Sequence, residues 1–166
     1  MLSFPRLIEP DSFEGQEPKY SAVFVFSKEQ GEEIERVMAE AAKEAWPKDL
    51  KKLAALKAQN RTPLKDGDLS PREEYAGKMY MRASSKTPPI LVDGQRQPVD
   101  NPAAYFYPGA IVNAAVDIVA IGAHGKASQF GARIVAYLVA VQFVAPGERL
   151  GPAPEEAVEA FPVLGL

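Results

Sequence analysis

Residues 20–27, "YSAVFVFS", place Tyr20, Ala22, Phe24 and Phe26 on one face and Ser21, Val23, Val25 and Ser27 on the other. Both faces are largely apolar, which predicts a buried strand. The period then changes. In "KEQGEEIERVMAEAAKEAW", residues 28–46, Ile34, Val37, Met38, Ala41, Ala42 and Ala45 form one helical stripe. Ser27 is a suitable N-cap, and the early glutamates suit the positive end of the helix dipole. Pro47 punctuates, and "KDLKKLAALKAQN" predicts a second short helix through Leu50, Leu53 and Leu56. "RTPLKDGDLSP", residues 61–71, reads as a loop with turn chemistry at Asp66-Gly67-Asp68.

Strand patterning then returns. In "KMYMRAS", residues 78–84, Met79, Met81 and Ala83 alternate with Lys78, Tyr80, Arg82 and Ser84. "PILVDG" predicts a short strand and a turn, while "AIVNAAVDIVAI" (110–121) and "ARIVAYLVAVQFV" (132–144) are long enough to bend around a barrel. Unequal loops and long Gly-bounded strands favour a mainly β, Greek-key barrel over a sandwich. Three aromatics in a row, Tyr105, Phe106 and Tyr107, cannot all point inward from an extended strand.

The 166 residues suit one domain with a sizeable core. Twelve glycines and fifteen prolines fit an all-β fold better than a helical bundle, and the absence of cysteine excludes disulfide and thiolate chemistry. The start of the chain lacks the pattern of a signal peptide, and no apolar run is long enough for a membrane span. Net charge is −3, unevenly spread. Residues 61–150 hold ten Lys/Arg against eight Asp/Glu, whereas 151–166 hold no Lys/Arg against three glutamates. A mildly positive middle and an acidic end leave room for a local positive groove.

Lys78, Tyr80, Arg82 and the following Lys86 give the cation–aromatic–cation spacing that a single-stranded nucleic acid needs, with cations for phosphates and rings for bases. A solvated sheet face with cross-strand pairs gives the same pattern. Tyr105 and Tyr107 are stacking candidates or rim packing around Pro108-Gly109. His124 is the only histidine, so histidine-pair metal centres and Ser-His-Asp relays are poorly supported. "KDGD" lacks the later ligands of a calcium loop, and the glycines of "GAHGKASQFG" lead to no helix that would cradle a phosphate. Lys126 in that loop could still meet a backbone phosphate. No carboxylate pair stands out as an acid/base couple, so no enzyme and no cofactor are expected. An enzyme with an unrecognised site and a phage structural or assembly β-barrel remain the alternatives.

Taken in order, "LSFPRLIEP", "EPKYSAVFVFSK", "LKDGD", "EEYAGKMYMRASSKTPPILVD", "YFYPGAIVNAAVDIVAI" and "GARIVAYLVAVQFVAPGERLG" resemble a family of bacteriophage single-stranded DNA-binding proteins with an OB fold. The likeness runs over nearly the whole chain. It implies a barrel of about five strands over residues 1–150, with a helical insertion at about 28–59 after the second strand, and an acidic tail at 151–166. The usual OB helix lies instead between the third and fourth strands. Such proteins usually carry residues ahead of the "LSFP" element, so a short N-terminus with a trimmed first strand is expected. The implied function is binding of single-stranded DNA with little sequence selectivity, in phage replication, recombination or repair within the host cytoplasm. The DNA-binding candidates are Lys78, Tyr80, Arg82, Lys86, Tyr105, Tyr107, Lys126 and Arg133. Glu155, Glu156, Glu159 and Phe161 form a candidate tail for replication or recombination partners, and self-association on DNA is compatible with this role. The same tail could instead pack on the barrel through Val158, Phe161 and Leu164.

Overall fold

β1 (Leu2–Asp11) pairs antiparallel with β2 (Lys19–Phe26), and β2 pairs antiparallel with β4 (Met79–Ser85). The computed structural model describes residues 1–12, 14–123, 131–150 and 161–165. β7 (Arg133–Ala145) joins β4 in parallel at Ser84 and Tyr137, and β6 (Ile111–Ile121) runs antiparallel along the length of β7. Two short strands complete the sheet. β3 (Leu64–Asp66) pairs with β4, and β5 (Ile90–Val92) runs parallel to β7.

The five long strands thus follow the order β1-β2-β4-β7-β6. Leu2 N donates to Ala110 O at 2.9 Å and Gly109 N to Leu2 O at 2.8 Å, so the sheet curls until β1 reaches the start of β6. This is the five-stranded Greek-key order of an OB barrel, whose third and fifth strands are parallel. The expected count of about five holds for the long strands. β3 corrects the reading of 61–71 as loop alone. The first strand spans ten residues.

The insertion after the second strand contains α1 (Lys28–Ala45) and α2 (Lys52–Ala58). Ser27 caps α1 in a reciprocal box: its Oγ accepts from Gln30 N at 3.2 Å, and Gln30 Oε1 accepts from Ser27 N at 3.3 Å. α2 is shorter than expected. Leu50 lies before it, 90% exposed, because only Leu53 and Leu56 are drawn toward α1 and the sheet.

Alternation sorts β2 and β4 into two faces. Phe24, Met81, Ala22 and Ala83 face a barrel core with Leu2, Leu7, Phe106, Ala136, Leu138 and Val141. Met38 and Ala42 of α1 pack with Leu56, Leu64 and Ile134 in an adjoining cluster, and Phe26, Ile34 and Ile118 touch both. α1 lies so close to β4 that a Cβ on Gly31 would stand 2.8 Å from Met79 Cγ. Burial of each large apolar side chain here contributes roughly 1.5–3 kcal/mol.

β1 carries a bulge. Ser3 pairs with Val23 and Arg6 with Ser21, so β1 has one residue more than β2 in this interval. Phe4 sits in the bulge with φ of 44°, a conformation that costs a non-glycine residue about 1–3 kcal/mol.

Candidate nucleic-acid interface

In an OB barrel the oligonucleotide face is that of the second and third strands, here β2 and β4. Cross-strand register fixes what this outer face carries. Ser21 lies opposite Ser84, Val23 opposite Arg82, and Val25 opposite Tyr80. β7 extends the face through Arg133, Val135, Tyr137 and Val139, which alternate with buried Ile134, Ala136 and Leu138. Tyr137 is 43% exposed and pairs with Ser84.

One end of this face is closed. Tyr75, from the 3-10 turn Glu73–Tyr75, lies over it with its ring 4.9 Å from that of Tyr80. Tyr75 Oη is 2.7 Å from Ser3 Oγ, and burial pushes its hydroxyl up from the ordinary tyrosine value. Tyr80 is therefore only half-buried at the margin of the open surface. Lys78 is exposed and lies about 13 Å further along the chain from Arg82 at 3.3 Å per residue, toward the N-terminal amine.

The other end is open and cationic. Arg61, Arg82 and Arg133 line one depression of about 310 Å³ together with Ser84, Val135, Thr62 and Asn60. Arg82 also borders a second cleft, of about 200 Å³, with Arg6, Ser21, Val23 and Phe4. Among the described residues Arg61, Arg82 and Arg133 have no carboxylate within ion-pair distance, so their charges are available to an external anion. Lys86 differs. It pairs with Glu17 at 2.9 Å, and this carboxylate raises its pKa. An anion would have to displace Glu17 to use it. Lys65, opposite Tyr80, donates to Asn60 Oδ1, and burial lowers its pKa. Chemically, a surface of this composition can hold sugar–phosphate between arginines and offer a ring and small side chains to bases. It is not the flat apolar patch of an assembly module.

Tyr105 and Tyr107 lie elsewhere. The aromatic run is not an extended strand but the end of a one-turn helix, α3 (Pro102–Tyr105), and the turn after it, so each ring leaves in its own direction. Phe106 enters the core, and Tyr105 meets Phe143 edge-on at 5.2 Å. Tyr107 Oη donates to Gly147 O and accepts from Gly147 N, both at 3.0 Å, while Arg149 covers its ring at 4.5 Å. Their described contacts are thus with the end of β7 and the residues after it. Lys126, Glu155, Glu156 and Glu159 lie outside the described residues. Phe161 and Leu164 are 71% and 74% exposed, so neither packs on the barrel.

The model of the family described as "Enterobacter phage Enc34, ssDNA-binding protein" matches residues 1–163. The chain belongs to this family. It is similar to protein p50 of Acyrthosiphon pisum secondary endosymbiont phage 1, with 32% identity over 172 residues, 99% of this chain and 90% of that one. Among solved structures it resembles the single-stranded DNA-binding protein of bacteriophage Enc34 in complex with ssDNA. The TM-score is 0.70 at 25% identity, covering 90% of this chain and 85% of that chain. The likeness to gp2.5, a single-stranded DNA-binding protein encoded by bacteriophage T7, has a TM-score of 0.59 over all of this chain and 94% of that one. At 11% identity it shows the fold alone.

Sequence reasoning missed Arg61, Tyr137 and Val135 as members of this cationic surface. The alternation of "ARIVAYLVA" contains the signal: Arg133 and Tyr137 share a parity. Apolar residues on both parities hid which side is outward. No helix among the described residues is long and apolar enough to cross a membrane, and no group of three metal-ligating side chains occurs among them.

Proposed function

We propose that the protein binds single-stranded DNA along the outer face of β2, β4 and the first half of β7, with little base selectivity and without catalysis. The observation that carries this is the depression where Arg61, Arg82 and Arg133 converge beside Ser84 and Val135, on the barrel face that takes oligonucleotides in OB folds. The Enc34 relative, solved with ssDNA, supports the same ligand class. Arginines neutralise phosphates and carry no base information, and rings accept any base. Coating of exposed strands during phage DNA replication, in the host cytoplasm, is the role that fits such binding. The acidic tail is part of this proposal as a partner-recruiting segment, supported by the exposed Phe161.

Titration of a fluorescent oligo-dT by anisotropy at two salt concentrations, with duplex as competitor, tests the assignment. Affinity should fall with salt at a slope of about −0.7 per neutralised phosphate, and duplex should compete weakly. Self-association along the strand would make the isotherm steeper on long than on short oligonucleotides. Salt-independent affinity, or tighter binding of duplex, would sink the proposal.

A further inference from the structure

Phe4 is an apolar ring held out of the core by a strained backbone. The bulge in β1 gives it a φ of 44°, and it stays 46% exposed although Leu2 and Leu7 on the same strand are buried. Strain of this kind persists where surrounding structure over-determines it, and it clusters at binding sites. A bulge is also a means of re-aiming one side chain out of a strand.

The surroundings of the ring say what it is aimed at. Arg72 lies over it, with Cζ 4.1 Å from the centroid, and is itself tethered to Glu74 at 3.6 Å. Phe4 also lines the cleft of about 200 Å³ formed with Arg6, Asp11, Ser21, Val23 and Arg82. A cavity of about 150 Å³ suffices to hold benzene, so one aromatic base has room there. Arg6 and Arg82 both line the cleft and supply cations for the phosphates flanking such a base, although Asp11 lines it too and shares the charge of Arg6 at 3.6 Å.

We propose that Phe4, backed by Arg72, is a base-stacking platform at the β1 end of the binding face, taking one nucleobase into the cleft between Arg6 and Arg82. This rests on the single-strand reading above and adds to it a specific nucleobase subsite. The bulge is the device that makes the subsite: without the extra residue the chain would alternate regularly, and no ring would reach the cleft at this point.

The test uses the full chain. Phe4→Gly removes the ring and suits the positive φ, so the fold should survive, with thermal melting as the control. Oligo-dT affinity should fall about 5- to 150-fold, the range for loss of one stacked base. The slope of affinity against salt should stay the same, because no cation is lost. Phe4→Tyr keeps the π-face and should restore affinity. Independently of any variant, photocrosslinking of the unaltered chain to an oligonucleotide bearing 5-iodouracil should give an adduct at Phe4. Wild-type affinity in Phe4→Gly overturns the proposal, as does crosslinking confined to other peptides. Failure of the unaltered chain to bind oligo-dT would be a separate result, overturning the single-strand reading itself.

Discussion

Arg82→Ala is the sharpest probe of the face, because Arg82 borders both clefts. The side chain is exposed and, among the described residues, has no carboxylate partner. Its removal therefore strands no buried charge, and stability should change by no more than about 0.5 kcal/mol. A guanidinium 4 Å from a phosphate interacts by about 1 kcal/mol in bulk water and about 4 kcal/mol at an effective dielectric of 20. An open groove lies toward the first limit, so a loss of about 1–2 kcal/mol, or 5- to 30-fold in affinity, is expected. Loss of one phosphate contact should also flatten the salt slope by about 0.7. Raising salt fourfold should then shrink the gap between variant and wild type about 2.6-fold. Anisotropy titrations of oligo-dT across salt, with thermal melting as the fold control, read all three quantities. If Arg82→Ala melts normally and binds with wild-type affinity and slope, the strand runs elsewhere.

Tyr137→Ala should weaken oligo-dT binding by about 1–3 kcal/mol with the salt slope intact, since its exposed ring offers stacking and no charge; a flattened slope would assign it another role. Gly31→Ala should lower the melting temperature, because the new Cβ meets Met79 Cγ; the cost should lie near the lower end of about 1–3 kcal/mol, since a methionine side chain can shift. Asp68 is held below the ordinary carboxylate range by its hydrogen bond from Lys28 at 2.7 Å and by Gly77 N. Its ionised form thus adds stability that is fully present above the unfolded value of 3.8 and is lost as pH falls through the lowered folded one. Asp68→Asn should therefore melt below wild type at neutral pH and converge with it under acid conditions, and a constant difference across pH would contradict this.

Local periodicity made the main elements legible. β2, β4, β6, β7 and α1 lie within a residue or two of where alternation or helical spacing puts them, and Ser27 caps as its type suggests. What escaped depends on partners distant in sequence. β3 is three residues long and exists because Leu64 can pair with Met81. Residue type leaves Tyr105 and Tyr107 as stacking candidates or rim packing, and it does not show that Pro102 starts a helical turn that sends Phe106 into the core. Phe4 carries none of the Gly or Asn signals of a positive φ, so its bulge could not be read from residue type. Of the cations, Arg82 was visible by parity, and Arg133 was a candidate by its charge alone, while Arg61 belonged to a segment read as loop.

The position of Arg61 ties the helical insertion to the proposed interface. In this barrel α1 and α2 stand between the second and third long strands, and the chain must return from α2 to β3. It does so through Asn60, whose φ of 58° is one that asparagine tolerates better than most residues. The reversal puts Arg61 against the start of β7: its carbonyl accepts from Ile134 N at 3.0 Å, and its Nη1 donates to Ala132 O at 3.4 Å. Gly131, whose φ of 84° favours glycine, leads into β7 beside the tip of the Arg61 side chain. Burial of Leu56 and Leu64 beside Ile134 secures both sides of this connection. The same apolar cluster that docks the insertion thus brings an arginine from a loop to Arg82 on the third long strand and Arg133 on the fifth. Three cations far apart in sequence meet because the helices pack where they do, so destabilising the α2 docking should cost DNA affinity even with no residue of the groove altered.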